Sequence, residues 1–107
     1  MKKIAILASG EGTNAERIIR YFTGHPKVKV VVVITNRADA GVIRRAENLQ
    51  IPVEYLPASA FKEGQASKML RHYKTDFVVL AGFLLRIPDD MLAEYPDRIV
   101  NIHPSLL

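Results

Sequence analysis

The chain has 107 residues, of which 49% are hydrophobic and 24% charged, and its formal net charge is +4 at pH 7. This composition is typical of one globular domain and excludes collagen-like, coiled-coil and disordered chains. Because there is no cysteine, disulfide frameworks and thiolate metal sites are excluded too, and we expect no metal. The longest apolar run, residues 30–34, is far too short to span a bilayer.

The basic residues are dispersed from Lys2 to Arg98, and the only adjacent pairs are Lys2-Lys3 and Arg44-Arg45. Such a distribution indicates a solvated surface rather than a nucleic-acid interface, and fits a small phosphorylated ligand better than a polyanion. Lys2-Lys3 precede an apolar run as in a signal peptide, but Glu11 interrupts it before a hydrophobic region develops. We expect a single cytoplasmic domain over residues 1–107 that binds small molecules, and leave homo-oligomer formation open.

The apolar residues follow two periods in alternation. Residues 3–8 form a continuous apolar run closed by Ser9-Gly10, which is typical of a buried parallel strand. From Asn14 to Phe22 the apolar residues have helical spacing, with a stop at Gly24. The same patterns predict further strands at 28–35, 53–56, 76–81 and 98–103, helices at 41–50, 65–73 and 89–95, and an irregular stretch at 57–64.

This alternation predicts the fold class. Parallel strands need crossover connections, so strands that alternate with helices indicate right-handed βαβ units. We therefore predict an α/β fold: a doubly wound, Rossmann-like, mainly parallel sheet with helices on both faces. Ligands of such folds bind beyond the carboxyl ends of the strands. The segments that can form a site are then 9–14, 35–39, 82–88 and 101–107.

A glycine loop follows the first strand. Residues 10–15, Gly-Glu-Gly-Thr-Asn-Ala, match the G-x-G-x-x-G/A pattern of dinucleotide sites, but the second strand ends in Thr35-Asn36-Arg37 and lacks the acid that would bind a ribose. The glycines let the backbone approach a ligand, and the amides of Thr13 and Asn14 at a helix start favour an anion such as one phosphate. The alternative is a plain turn in which Thr13 or Asn14 caps the helix.

A second candidate pair lies at the end of the last predicted strand. Asn101 and His103 are two residues apart, so they project to the same side, whereas Ile102 faces the opposite layer. A histidine can act as a general acid or base near neutral pH, and an asparagine amide can donate to a developing oxyanion. A structural histidine at a strand end is the alternative.

Three segments together carry a resemblance: residues 9–14 (Ser-Gly-Glu-Gly-Thr-Asn), 80–83 (Leu-Ala-Gly-Phe) and 101–107 (Asn-Ile-His-Pro-Ser-Leu-Leu). They resemble the phosphoribosylglycinamide formyltransferases over essentially the whole chain, as the N-terminal half of such an enzyme. The last segment is shared with other enzymes that use formyl folate. The glycine loop distinguishes the phosphoribosylglycinamide formyltransferases from those other enzymes, because it resembles the loop that binds the phosphate of the ribonucleotide substrate.

The resemblance implies an enzyme that moves a formyl group from 10-formyltetrahydrofolate to the amine of phosphoribosylglycinamide in purine biosynthesis. It implies that Asn101 and His103 are catalytic, with the Asn101 amide also contacting the formyl group of the folate. By the same resemblance, Gly12, Thr13 and Asn14 hold the substrate phosphate, and the pterin pocket is lined by Leu84, Leu85, Arg86 and Ile87.

The sequence departs from the family pattern in three places. Leu85 stands where many members have an arginine, and the position near Gly64 lacks an arginine that contacts folate in some members. The family's catalytic aspartate would lie beyond Leu107, so we expect this to be a fragment with little or no activity of its own. Two alternatives stay open: a formyltetrahydrofolate hydrolase, and a non-enzymatic NADP-binding module that uses the glycine loop and Arg37.

Overall fold

The computed structural model describes residues 1–102, in which every predicted strand and helix is present in the predicted order, together with one additional helix. The strands are β1 (Lys2–Leu7), β2 (Val28–Thr35), β3 (Val53–Tyr55), β4 (Phe77–Ala81) and β5 (Ile99–Ile102). The helices are α1 (Thr13–Phe22), α2 (Gly41–Asn48), α3 (Ala58–Lys62), α4 (Gln65–His72) and α5 (Asp89–Glu94). Predicted ends differ from these by at most two residues, and the predicted end of the last strand, His103, lies outside the described residues.

The strands form one sheet in the order β3-β2-β1-β4-β5, and every pairing in it is parallel. The α/β fold with a parallel sheet is therefore confirmed. From β1 the chain moves outward through β2 to β3, and it then crosses back to place β4 on the other side of β1. The direction of winding thus reverses between β1 and β4, which is where ligands bind in open α/β sheets.

Helices cover both faces of the sheet, which explains the continuous apolar runs. In β1, Ile4 and Ile6 pack in the core beneath α1 and α2, whereas Ala5 and Leu7 pack in the core beneath α3, α4 and α5. Each large aliphatic side chain that is fully buried contributes about 1.5–3 kcal/mol to the stability of the fold. Because neither face is exposed along β1, the strand cannot show an alternating polar pattern.

The prediction of a less regular stretch at residues 57–64 is wrong, because helix α3 occupies most of these residues. Pro57 has a φ of −66° and precedes the helix, and Ala60 and Phe61 are buried in the core. A left-handed Gly64, with a φ of +83°, then separates α3 from α4. A helix of one turn presents too few residues to show a period, so the sequence pattern misses it.

No helix within residues 1–102 is both long and apolar enough to cross a membrane.

Candidate functional site

A pocket of about 450 Å³ opens at the carboxyl edge of the sheet, where the ends of β1 and β4 meet. One wall is the glycine loop and the first turns of α1, and the other is the end of β4. The lining residues are Gly10, Glu11, Gly12, Thr13, Asn14, Arg17, Ala81 and Gly82. All three residues predicted to bind a phosphate thus line one pocket, which lies where the direction of winding of the sheet reverses between β1 and β4.

Gly12 has the conformation that gives the loop its shape. Its φ of +83° is left-handed, and a Cβ atom built on it would lie 2.5 Å from Cγ2 of Val42. Gly12 is also the N-cap of α1, and no side chain caps this helix. The alternative in which Thr13 or Asn14 caps the turn is therefore wrong, and the first amides of α1 have no acceptor within the helix. Such amides can bind an anion, which is the role that the sequence analysis predicts for this loop.

Arg45 of α2 braces the glycine loop from outside the pocket. Its Nε donates to the carbonyl oxygen of Glu11 at 2.7 Å, and its Nη1 donates to Oε1 of Glu16 at 2.9 Å. Hydrogen bonds from Arg20 and then from Arg45 lower the pKa of Glu16. Glu16 therefore stays ionised, and its negative charge is balanced by the two arginines. An unpaired carboxylate at the start of α1 would repel a bound phosphate. The carbonyl of Gly10 is held as well, by the N–H of Val42 at 3.1 Å.

We expect Arg45→Leu to weaken binding of a phosphate ligand about threefold to tenfold, because the loop loses a charge-assisted hydrogen bond and Glu16 loses a neighbouring cation. Titration calorimetry with ribose 5-phosphate measures this. Arg44→Leu is the matched control, since it removes the same charge one residue earlier but neither hydrogen bond. Equal losses of affinity in the two variants would mean that net charge, and not the hydrogen bonds of Arg45 to Glu11 and Glu16, determines the affinity.

A second pocket, of about 370 Å³, lies between the segment after β4 and helices α3 and α5. Its apolar lining comes from Ala58, Phe61, Leu85, Ile87 and Pro88, and its charged lining from Lys62, Arg86, Asp89 and Asp90. Apolar walls can hold a flat heterocycle such as the pterin ring of a folate. Arg86 is paired with Asp89 at 3.6 Å, whereas Lys62 can pair with the anionic tail of a folate.

The segment predicted to line a pterin pocket is divided by the structure. Leu85, Arg86 and Ile87 line this second pocket, whereas Leu84 does not, and 74% of the Leu84 residue surface is exposed. The Leu84 backbone N–H instead points inward and donates to Oγ of Ser9 at 2.9 Å.

The chain matches the family model described as "Formyl transferase" over residues 2–107. The chain belongs to the formyl transferase family. It is 40% identical to phosphoribosylglycinamide formyltransferase of Escherichia coli over 97% of the chain and 52% of that protein. It is 36% identical to the enzyme of the same name from Haemophilus influenzae, over 100% of the chain and 53% of that protein.

The structural comparison agrees with these sequence matches. Glycinamide ribonucleotide transformylase 1 from Symbiobacterium toebii has a TM-score of 0.88 and 35% identity, over 100% of this chain and 53% of that one. The chain spans about half the length of these relatives.

Within the formyl transferase fold, Asn101 lies in β5, opposite Leu80 of β4. Ile102 packs beneath α1 and α2 as predicted, and Ile99 packs on the other face. Since side chains alternate along a strand, Asn101 is on the face of Ile99; it is exposed there and lines neither of the two pockets. Its predicted partner His103 lies outside the described residues.

Several residues that line the two pockets were not predicted from the sequence, among them Arg17, Phe61 and Lys62. Arg17 had a signal, because it follows Thr13 by four residues and so lies on the same helical face as the loop. The sequence carried no such signal for Phe61 and Lys62, because they belong to α3, a helix too short to show a period.

Proposed function

We propose that this chain is the N-terminal part of an enzyme that transfers a formyl group from 10-formyltetrahydrofolate to the amine of phosphoribosylglycinamide, in purine biosynthesis in the cytoplasm. The match of the whole chain to relatives with this enzyme name carries the proposal. The pocket at the glycine loop supports it, because it lies beside residues 84–87, the segment predicted to bind the folate and called the folate segment below.

The two pockets suit the two substrates. Backbone amides of Gly12, Thr13 and Asn14 would hold the phosphate, and Arg17 adds a cation to the same pocket. Leu85, Arg86 and Ile87 would hold the folate in the second pocket. The loops that follow β1 and β4 lie side by side because these two strands are hydrogen-bonded neighbours. An amine on the first substrate can therefore reach a formyl group on the second.

The proposed reaction needs no covalent enzyme intermediate. A bond forms between the amine nitrogen and the formyl carbon, the bond from that carbon to N10 of the folate breaks, and the proton lost by the amine is transferred to N10. Asn101 would donate to the oxygen that gains negative charge, and His103, when protonated, would donate to it as well and assist the proton transfer. The relatives do not favour either the hydrolase or the NADP-binding module.

The phosphate pocket gives the test of this assignment. We expect the chain to bind phosphoribosylglycinamide at least about tenfold more tightly than its dephosphorylated form, because the phosphate would make charge-assisted hydrogen bonds with the loop. Titration calorimetry with both compounds, and with NADP, makes the comparison. Equal affinities would remove the glycine loop from the substrate site, and tighter binding of NADP would support the dinucleotide alternative.

A further inference from the structure

The side chain of Ser9 connects three strand ends at the proposed site. It is 1% exposed and follows β1. Its Oγ donates to Oδ1 of Asn36, after β2, at 2.6 Å, and accepts the N–H of Leu84, after β4, at 2.9 Å. The hydroxyl therefore donates to the residue after β2 and accepts from the residue at the start of the folate segment. Because Ser9 directly precedes the glycine loop, the second of these bonds joins that loop to the folate segment.

The two substrate sites depend on this hydroxyl to different degrees. The glycine loop has other supports, namely the backbone bond from Ser9 N–H to Gly82, the Val42 N–H on Gly10, and Arg45 on Glu11. In the folate segment, by contrast, Leu85 and Ile87 pack against the core, whereas the Leu84 side chain is exposed and its backbone N–H is bonded to Ser9. Losing the hydroxyl should therefore free the Leu84 backbone, where the segment begins, while the glycine loop keeps its shape.

We propose that Ser9 is a positioning residue that fixes the folate segment relative to the glycine loop, and so sets the distance between the two substrates. This inference rests on the proposed function for its catalytic consequence. Asn36 has a part in it, because its Oδ1 accepts the hydrogen bond from the hydroxyl and so leaves the lone pairs of the Ser9 oxygen available to the Leu84 N–H. The role differs from that of the residues predicted to touch substrate, since Ser9 acts through a backbone amide.

The first test measures amide hydrogen exchange by NMR in the 107-residue chain. In Ser9→Ala the Leu84 amide loses its acceptor, and we expect its exchange to accelerate about tenfold or more while the amides of Val42 and Ala8 stay within about twofold. Ser9→Thr keeps the hydroxyl and should restore slow exchange at Leu84. Unchanged exchange of the Leu84 amide in Ser9→Ala would overturn the proposal.

The second test measures kinetics in a chimera that joins this chain to the C-terminal half of the Escherichia coli relative. Ser9→Ala should raise KM for the formyl donor about tenfold and leave KM for the amine within about twofold. Ser9→Thr should recover the donor KM, and Thr23→Ala is the control, because it removes a hydroxyl bonded to the Ile19 carbonyl on α1. Equal rises in both KM values would mean general damage to the fold and would overturn the proposal.

The two failures are distinguishable. If the unmutated chimera transfers no formyl group, the proposed function fails, and the exchange rate of the Leu84 amide still decides whether Ser9 holds the folate segment.

Discussion

Replacing Gly12 by alanine should cost about 2–5 kcal/mol of unfolding free energy, the sum of a left-handed backbone and an overpacked contact. The φ of Gly12 is +83°, and the added methyl group would lie 2.5 Å from Val42 in the packed interface between the loop and α2. Neither problem can be relieved without moving the loop. Affinity for ribose 5-phosphate should therefore fall as well, by more than about tenfold at a temperature at which both proteins are folded.

The control for this variant is Gly24→Ala. Gly24 has a similar φ of +74°, but a Cβ atom there would meet nothing within 4 Å. It should lose only the backbone contribution, about 1–2 kcal/mol, and keep its phosphate affinity. Chemical denaturation of the three proteins separates the two contributions. If Gly12→Ala and Gly24→Ala behaved alike, the close contact with Val42 would not constrain the loop.

The second large effect is expected at His103. In the chimera with the C-terminal half of the Escherichia coli relative, His103→Ala should lower kcat about 10²-fold or more and change substrate binding only a few-fold, since the residue would act on the transition state. Steady-state kinetics with both substrates varied would measure it. His72→Ala is the control, because His72 is exposed at the end of α4 and should leave kcat unchanged.

A fall in affinity as large as the fall in kcat would assign His103 to substrate binding instead. Unchanged kcat in His103→Ala would remove it from the mechanism and leave Asn101 without its predicted partner.

Patterns local in sequence predicted most of the fold. The β-branched run at 28–35 became β2 with the predicted bounds, and the glycine loop came to lie at the crossover point of the sheet. Both depend on the order of residue types over a short stretch. Helix α3 was missed because one turn is shorter than the period that would identify it.

The supports of the site could not be predicted, because they join residues distant in sequence. Arg45 contacts the carbonyl of Glu11 across 34 positions, and Ser9 contacts the N–H of Leu84 across 75. Nothing in the sequence near Leu84 indicates that its backbone faces inward while its side chain is exposed. That orientation depends on where β4 pairs with β1, which is a property of the assembled sheet.

The central claim is tested most directly by formyl transfer in the unmutated chimera. The measurement is the formation of tetrahydrofolate from 10-formyltetrahydrofolate, with and without phosphoribosylglycinamide, with the 107-residue chain assayed in parallel. We predict turnover by the chimera that depends on the amine, and little or none by the 107-residue chain alone. Turnover by the chimera that is equally fast without the amine would contradict the account, because it would identify a hydrolase.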